Sequence, residues 1–485
     1  MLGDMKPFRL VGNIYFVGTY KASSHLIDTG DGLILIDTGY EETADVIVES
    51  VAELGFDIRD VKYILHSHGH YDHTDGTPKI LELTNAKTFL GKGDVKYITG
   101  WTPDEFYQDG QVIRLGNTQI LCVATPGHTE GTFSFFFDVD IDGKTYRAGM
   151  FGGAGTNQLK KDFLNKYKCS WLNRGLYFKS VERLKQEHVD IFLGNHTWNN
   201  QTKENYERML VSDRNPFIDE TKWMPFLLKC EKDAEAVMRK DSRESFVNYA
   251  HRGASTYAPE NTFLAFYTGI YMGANGIETD VRMTKDGTLV LFHDDTITRL
   301  TGDEGRLSAF TLDELRQYTF EKNGLTDKIV VFEDFLKQFA FRDITFAIEI
   351  KQAGIEQQIA DMIRKYHVEH KAVVTSFKPD CIRVIKEYAP ELHIGLLCKD
   401  VTDDTVHFLK QIGAEEICPR ATEVTSESVA MWHREGFNVR AWGVSNEELM
   451  RQVYDSMADG MTVNFPDKLF AYINAQTEKL QEGEA

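Results

Sequence analysis

Apolar and polar positions alternate with two different rhythms along the chain. In the first half, short apolar runs separated by turn residues predict strands and hairpins. Such strands are predicted at residues 13–18, 24–27, 33–37, 61–65, 112–124 (turning at 116–117), 133–148 (turning at 142–143) and 189–193. Helical spacing is found near residues 42–54 and 179–186. Strand groups interrupted by helices predict two sheets with helices outside, a four-layer αββα sandwich.

Beyond residue 245 the rhythm changes. Strand-like runs now alternate with amphipathic segments such as residues 356–366 and 447–457. About eight strand–helix units in roughly 230 residues predict a (β/α)₈ barrel, in which polar side chains at the carboxyl ends of strands are catalytic. The strand-like runs are residues 247–250, 276–281, 289–292, 345–350, 372–376, 394–397, 416–419, 439–444 and 461–464.

The segment that joins the two halves is richer in charge. Residues 212–245 contain Pro216 and Pro225 and keep helical apolar spacing, which predicts a connecting helix packed on one domain and then a polar joint near residues 240–244. The 485 residues accommodate two large domains of mixed α/β and α+β class. We expect the first domain, with its connecting helix, at residues 1–240 and the barrel at residues 246–478.

Composition narrows the possible partners. An apolar content of 42% and a charged content of 26% are typical of a globular chain. The net charge of −20 disfavours nucleic acid and favours small-molecule substrates. Residues 1–10 lack the apolar run of a signal peptide, and no stretch is long enough to span a bilayer. Six scattered cysteines indicate reduced thiols and a cytoplasmic location. The oligomeric state stays open.

A cluster of ligand-type side chains follows the strand predicted at residues 61–65. One imidazole comes from Thr125–Gly131, where a Pro-Gly turn would aim and hold it, and another follows the strand at residues 189–193. Imidazole and carboxylate suit zinc, and a tetrahedral site needs such partners in addition to one short loop. The candidate ligands are His68, His70, Asp72, His73, His128 and His196.

These segments resemble the metallo-β-lactamase superfamily over roughly residues 10 to 215. The resemblance implies two Zn²⁺ ions that activate a shared water for attack on an electrophilic carbon, and it implies that Asp72 orients that water and takes up its proton. One zinc would be bound by His68, His70 and His128, and the other by Asp72, His73 and His196. β-Lactams, esters and lactones remain open as carbonyl substrates, and phosphoesters remain open as an alternative.

One position departs from the superfamily pattern. Most members have a bridging Asp in a Gly-Asp step after a strand, whereas this chain reads Ala148-Gly149-Met150-Phe151. This loss, with the complete His/Asp set, resembles the third subclass of metallo-β-lactamases.

A second set of charged residues occurs in the barrel half. Two histidines, carboxylates and two fixed cations are what cleavage of a phosphodiester needs, because the phosphate requires positive charge and the leaving oxygen requires a proton. They occur in His251-Arg252-Gly253, Glu278-Thr279-Asp280, His293-Asp294 and Glu349-Ile350-Lys351, which we expect at or near the carboxyl ends of barrel strands.

These motifs resemble the glycerophosphodiester phosphodiesterase family over roughly residues 246 to 475. The resemblance implies that Glu278, Asp280 and Glu349 bind one divalent cation, and oxygen ligands suit Mg²⁺ or Ca²⁺. Arg252 and Lys351 would hold the phosphate. His251 and His293 would form the general acid–base pair. The implied products are glycerol 3-phosphate and an alcohol.

Three functions are compatible with the two motif sets. The first is a bifunctional metal-dependent hydrolase with both centres active, which the chain's complete ligand sets favour. The second is a phosphodiesterase whose front domain binds metal but is non-catalytic or regulatory. The third is a β-lactam-degrading enzyme that carries the barrel as a passenger. The fusion itself hints at sequential action in lipid metabolism, which is an argument by association.

Overall fold

The first half of the chain forms two sheets, as its apolar spacing predicts. The computed structural model describes residues 5–483, and the chain divides into two units after Val237. The strands of the first unit are β1 (Phe8–Val11), β2 (Ile14–Phe16), β3 (His25–Asp28), β4 (Leu33–Ile36), β5 (Val61–Leu65), β6 (Lys87–Leu90), β7 (Glu105–Phe106), β8 (Gln111–Leu115), β9 (Thr118–Ala124), β10 (Phe133–Ile141), β11 (Lys144–Met150) and β12 (Ile191–Leu193). Its helices are α1 (Ala44–Glu53), α2 (Tyr71–Thr74), α3 (Thr77–Leu81), α4 (Lys161–Lys166), α5 (Asn173–Leu184) and α6 (Thr202–Met209), followed by α7 (Trp223–Glu244).

The two sheets pack face to face. Strands β1 to β7 form a seven-stranded sheet in chain order, and the second sheet has the order β12-β11-β10-β9-β8. Apolar side chains from both sheets, including Ile36, Leu65, Phe135 and Phe137, fill the space between them. On the outer face of the first sheet, Ile47 of α1 and Ile80 of α3 join a separate apolar cluster.

Helices also cover the second sheet. Trp223 of α7 makes edge-to-face ring contacts with Phe136 and Phe192 and donates a hydrogen bond from its indole nitrogen to the carbonyl oxygen of Leu184. The predicted four-layer αββα sandwich is therefore confirmed.

Two predicted helix boundaries in this unit need correction. The helix expected near residues 179–186 begins at Asn173, because Tyr177 and Phe178 are already buried in its first half and extend its packed face. The helix expected near residues 42–54 starts as a 3₁₀ turn at Glu41–Thr43 before α1.

The second half forms the predicted barrel. Its strands are β13 (Val247–His251), β14 (Gly276–Met283), β15 (Leu289–Leu291), β16 (Phe320–Lys322), β17 (Leu325–Asp327), β18 (Val330–Val331), β19 (Thr345–Ile350), β20 (Ala372–Ser376), β21 (His393–Cys398), β22 (Glu416–Pro419), β23 (Asn438–Val444) and β24 (Gly460–Val463). Its helices are α8 (Phe263–Tyr271), α9 (Thr298–Thr301), α10 (Leu312–Leu315), α11 (Phe332–Phe339), α12 (Glu356–Lys365), α13 (Pro379–Tyr388), α14 (Asp403–Ile412), α15 (Ser426–Arg434), α16 (Glu447–Asp455) and α17 (Pro466–Gly483).

Eight parallel strands close on themselves. The hydrogen-bonded order is β13-β24-β23-β22-β21-β20-β19-β14, and β13 pairs again with β14 to complete the ring. This order confirms the (β/α)₈ barrel. Within residues 5–483, no helix combines the length and the apolar character that a transmembrane span requires.

One predicted barrel strand lies outside the ring. The run at residues 289–292 does form strand β15, but β15 runs antiparallel to β14 and pairs on its other side with β18. Strand β14 is long enough to extend past the barrel wall, and its last residues bind β15 instead of a barrel neighbour. An apolar run by itself does not show the direction of a strand.

The polar joint expected near residues 240–244 is wrong, because α7 continues without interruption to Glu244. Its last turns are anchored by two buried side chains, Met238 and Ser242, on one face. The Ser242 hydroxyl donates to a carboxylate oxygen of Asp459 at 2.9 Å, and the Arg243 guanidinium lies 4.2 Å from the ring centre of Tyr454. The charged residues between them are the solvent face of a helix.

A buried ion pair lies inside the barrel between β22 and β23. Arg440 donates from Nε to Glu416 Oε1 at 2.7 Å, and both side chains are almost fully buried. We predict that Glu416→Ala lowers the free energy of unfolding by about 3–5 kcal/mol, because the Arg440 charge is left uncompensated. Hydrogen exchange on the β22 and β23 peptides measures this. The exposed control Glu423→Ala should change stability by less than about 0.5 kcal/mol, and equal protection in both variants would contradict the prediction.

Candidate metal centres

The first centre lies at the carboxyl end of β5. This strand is central in its sheet, with parallel neighbours β4 and β6. The chain leaves it at Leu65 and turns into the short helix α2, and His70 is the residue that precedes that helix. The loop therefore presents its side chains at a sheet edge where the ends of three parallel strands meet.

Three imidazoles converge on one point. His68 Nε2 lies 3.2 Å from His128 Nε2, and His70 Nδ1 lies 3.1 Å from the same atom. His68 and His128 are buried, and His70 is half-buried. Zinc–nitrogen bonds of about 2.0–2.1 Å in tetrahedral geometry place ligand nitrogens at about this separation. These three side chains form a group that could hold a metal ion.

A second group lies beside the first. Asp72 Oδ2 is 3.5 Å from His73 Nε2 and 3.7 Å from His196 Nε2. The His73 ring centre is 4.3 Å from that of His68, so the two groups are in direct contact. His73 Nε2 is buried and has no hydrogen-bond partner among the described residues. A buried ring nitrogen that has no hydrogen-bond partner and faces a carboxylate and a second imidazole has the environment expected of a metal ligand.

Hydrogen bonds from outside the centre fix which ring nitrogen faces inward. His128 Nδ1 donates to the carbonyl oxygen of Gly155 at 2.8 Å, and His196 Nδ1 donates to that of Lys21 at 2.6 Å. Each bond leaves Nε2 unprotonated and directed at the centre.

Asp37 supports the second group, a role that the sequence motifs do not predict. Its Oδ2 accepts from His73 Nδ1 at 2.8 Å and from the Ser67 hydroxyl at 2.7 Å. Asp37 follows β4, which is parallel to β5, so the two strands end side by side. A strand-end Asp before a glycine-containing turn was the available signal. With φ of 59°, Asp37 has a left-handed conformation that Asp and Asn tolerate better than other side chains.

Asp94 supports the first group in the same way. Its carboxylate accepts from the backbone nitrogens of Gly69 and Gly131 at 2.7 and 2.8 Å, and from the Thr129 hydroxyl at 2.7 Å. Asp94 thus joins the loop of His68 to the loop of His128. A Cβ atom on Gly69 would lie 2.7 Å from the Asp94 Cβ, so only glycine fits this approach. Burial raises the pKa of Asp94 to about 6.

The electrostatics favour neutral imidazoles at His68, His70 and His128. Burial and neighbouring histidines hold the pKa of His68 and of His128 well below the usual value. Burial lowers the pKa of His70 to about 4. Burial also acts to lower the pKa of His73, but the carboxylates of Asp37 and Asp72 outweigh it and raise that pKa. Neutral imidazoles with an adjacent carboxylate are a donor set that suits zinc.

The segment that lacks a carboxylate is the end of β11. Met150 and Phe151 are both buried here and apolar, so this segment offers no carboxylate to the centre.

We predict that Asp37→Asn weakens zinc binding by about 10- to 100-fold. The amide nitrogen of Asn would face the N–H of His73, which it cannot accept, so the His73 ring would lose the hydrogen bond that fixes its orientation. Asparagine tolerates the same left-handed backbone, so the substitution tests the charge and not the turn. Competition with a chromophoric chelator measures the affinity. The exposed Asp45→Asn serves as control, and equal affinities in both variants would show that Asp37 does not support the centre.

The second centre lies in the mouth of the barrel. Glu278 and Asp280 come from β14 and Glu349 from the adjacent strand β19, where Asp280 is paired in register with Glu349. One oxygen from each carboxylate lies within 4.8 Å of the others. Burial and the neighbouring carboxylates raise the pKa of Glu278 well above its usual value and that of Glu349 to about 7. A divalent cation would relieve this repulsion, and an all-oxygen donor set suits Mg²⁺ or Ca²⁺.

Two fixed cations border these carboxylates. Arg252 Nε lies 3.2 Å from Asp280 Oδ2, and its Nη1 donates to Glu260 at 3.0 Å. Lys351 Nζ donates to Glu349 at 2.8 Å and lies 3.6 Å from Asp280 Oδ1. That oxygen is buried and has no hydrogen-bond partner in the described part of the chain. Asp280 Oδ1 is therefore available to bind a cation held between the three carboxylates.

Both candidate acid–base histidines face the same pocket. His251 Nδ1 donates to Asn464 Oδ1 at 2.6 Å, and its Nε2 lies 3.9 Å from Glu278. His293 Nδ1 donates to Asp294 at 2.6 Å. Burial and Arg252 lower the pKa of His251 to about 4. Each ring therefore keeps Nε2 free for proton transfer.

His293 does not stand at the end of a barrel strand, contrary to the expectation from sequence. It follows the antiparallel strand β15, and the backbone nitrogen of Phe292 donates to the carbonyl oxygen of Asp280 at 2.9 Å. This bond brings His293 back over the carboxylates. Sequence reasoning gave Glu260 a supporting role but missed Arg299, which bridges Glu260 and Asp294 and so connects the loop of Arg252 to that of His293.

The barrel pocket has a volume of about 210 Å³. Phe377 and Trp442 form part of its wall, with ring centres 4.8 Å apart at an interplanar angle of 88°. The remaining lining side chains are those of His251, Arg252, Glu278, His293, Glu349, Lys351, Thr375, Leu397, Arg440 and Thr462.

The two folds and the two clusters define a chain of metal-dependent hydrolase domains. The model of the glycerophosphoryl diester phosphodiesterase family matches residues 251–468, and that of the metallo-beta-lactamase superfamily matches residues 17–145. The chain belongs to the glycerophosphodiester phosphodiesterase family through its second unit, and its first unit is a metallo-β-lactamase superfamily domain.

Individual relatives cover one unit each. The glycerophosphodiester phosphodiesterase of Caldanaerobacter subterraneus subsp. tengcongensis is 32% identical over 229 residues, which are 45% of this chain and 94% of that protein. That of Bacillus altitudinis is 29% identical over 232 residues, 45% of this chain and 95% of the relative. The native FEZ-1 metallo-beta-lactamase from Legionella gormanii is 31% identical with a TM-score of 0.46, and covers 50% of this chain and 98% of its own.

Proposed function

We propose that the barrel unit hydrolyses glycerophosphodiesters to glycerol 3-phosphate and an alcohol such as choline or ethanolamine. One observation carries this: two histidines, two cations and the carboxylates Glu278 and Glu349 line a single pocket, and Asp280 lies beside them in the same carboxylate group. A Mg²⁺ or Ca²⁺ ion held by Glu278, Asp280 and Glu349 would supply positive charge next to the phosphate.

Arg252 and Lys351 would bind the non-bridging phosphate oxygens. The guanidinium offers a planar fork, and Arg252 is held in place by Glu260 and Asp280. Lys351 adds a point charge from the next strand. These contacts offset the phosphate's negative charge as the phosphorus–oxygen bond breaks.

The two histidines would move the protons. His251 has a lowered pKa and a free Nε2, so it could accept a proton from a glycerol hydroxyl that attacks the phosphorus. Water would then open the resulting cyclic phosphate to give glycerol 3-phosphate. His293 is braced by Asp294, and its free Nε2 can deliver a proton to the leaving alcohol oxygen.

The direct test is release of glycerol 3-phosphate from glycerophosphocholine and glycerophosphoethanolamine. We expect release to stop after chelation and to return with added Mg²⁺ or Ca²⁺. Release that is indifferent to chelation would contradict the role of the carboxylate group.

We further propose that the first unit binds two Zn²⁺ ions and hydrolyses a carbonyl substrate, a β-lactam, ester or lactone. The support is the convergence of six side chains from three loops, with ring nitrogens 3.1–3.2 Å apart in the first group. The metals would polarise the carbonyl and supply a nucleophile near neutral pH. Asp72 belongs to the second group, 3.5 Å from His73 and 3.7 Å from His196, where it could orient water and accept its proton.

A small panel tests this second proposal. Nitrocefin, a lactone and a p-nitrophenyl ester are incubated with the zinc-loaded chain, and we expect hydrolysis of at least one that is lost on chelation. If none is cleaved while the barrel is active, the first unit is a metal-binding module without catalysis.

A further inference from the structure

A large pocket opens next to the histidine cluster of the first unit. Its volume is about 530 Å³, more than twice that of the barrel pocket. His68, His70, Asp72, His128 and His196 all line it. Six aromatic side chains form much of the remaining wall: Tyr71, Tyr97, Phe163, Tyr167, Trp198 and Phe226.

Two of these aromatic rings lie directly against candidate metal ligands. The Trp198 ring stacks on His196 with centres 4.4 Å apart and planes only 7° apart. The Tyr97 ring centre is 5.4 Å from that of His70. A group bound on these rings would therefore lie next to the place where a carbonyl is attacked.

Three of the six rings are unusually exposed for their size. The exposed fraction is 62% for Tyr71, 50% for Tyr167 and 57% for Trp198. Apolar surface concentrated at the mouth of a polar site marks a place where a ligand covers it. Burying such rings under a substrate removes apolar area from water, which is the source of affinity for an apolar group.

Away from the histidine cluster, the lining of this pocket offers little positive charge that could bind an anionic group. Among its described lining residues, Lys229 is the sole lysine or arginine. Its ammonium is paired with Asp233, one turn further along α7. Penicillins and cephalosporins carry a carboxylate on the carbon attached to the lactam nitrogen, so this wall suits an uncharged substrate better.

We propose that the aromatic wall binds the apolar acyl group, alkyl or aryl, of an uncharged ester or lactone whose carbonyl is held at the histidine cluster. This inference rests on the carbonyl hydrolysis proposed above. In the reaction, the oxygen of water bonds to the acyl carbon and the acyl carbon–oxygen bond breaks. One proton of the water goes to the alcohol, and the other is released as the carboxylate product forms.

The first test is a chain-length series. Hydrolysis of p-nitrophenyl acetate, butyrate, hexanoate and octanoate is measured with the zinc-loaded full chain. We expect kcat/KM to rise by about fourfold for each added CH₂ group until the pocket is filled. Trp198→Ala should lower kcat/KM for the octanoate ester by about tenfold or more and change the acetate ester much less. The control Phe106→Ala, an exposed ring away from the pocket, should keep the wild-type series.

A binding measurement separates this inference from the hydrolysis itself. Calorimetry compares acetate with octanoate, the carboxylate products, which carry no aromatic leaving group. Octanoate should bind more tightly by the same factor per CH₂ group, and Trp198→Ala should remove that gain. Octanoate binding without turnover of any ester would support the acyl site and contradict the proposal that the first unit hydrolyses esters.

Two results would overturn the acyl site. One is hydrolysis of the acetate ester with no dependence on chain length, which leaves carbonyl hydrolysis standing. The other is nitrocefin cleavage with a kcat/KM equal to or above that of the octanoate ester.

Discussion

His293→Ala is expected to lower kcat/KM for release of glycerol 3-phosphate by about 10²–10⁴-fold, the usual contribution of a positioned acid or base. The ring is braced by Asp294 and faces the carboxylate group, and the alanine variant leaves the leaving oxygen without a proton donor. An enzyme-coupled assay for glycerol 3-phosphate, run on glycerophosphocholine, measures the loss. Hydrolysis at the first unit should be unchanged.

The matched control is His407→Ala, an exposed histidine on α14. It should retain wild-type release. A His293→Ala variant with more than about a tenth of wild-type activity would show that this ring is not the acid–base partner.

His128→Ala is expected to abolish the zinc-dependent activity of the first unit, with a fall of about 10²–10³-fold in kcat/KM. His128 Nε2 lies within 3.2 Å of the inward nitrogens of both His68 and His70, so its removal opens the three-nitrogen group. The readouts are zinc content and hydrolysis of the best substrate of the panel.

The exposed His188→Ala is the control for this variant, and it should keep both zinc and activity. Release of glycerol 3-phosphate should be normal in both. Wild-type hydrolysis by His128→Ala would show that His128 is not part of the zinc centre.

Sequence alone predicted the two folds well because their patterns are local. The run at residues 61–65 matches β5, and the hairpins at 116–117 and 142–143 turn where glycine and asparagine or aspartate permit it. The direction of β15 was not predictable from its apolar residues. The end of α7 was not predicted correctly, because a run of charged residues is compatible both with the exposed face of a helix and with a linker.

The candidate ligands were found because they sit in short motifs, and the structure brings them together in three groups. The supports of those groups could not be found in the same way. Asp37, Asp94 and Arg299 act through backbone nitrogens or through partners distant in sequence. Their role depends on which loops meet at one sheet edge or barrel mouth, and this information is in the tertiary structure.

The most direct measurement is elemental analysis of the dialysed full-length chain beside His128→Ala and Glu349→Gln. The account predicts two zinc ions and one Mg²⁺ or Ca²⁺ per wild-type chain, loss of zinc alone in the first variant, and loss of the harder cation alone in the second. Zinc content that is unaffected by His128→Ala, or a harder cation that persists in Glu349→Gln, would contradict the corresponding centre.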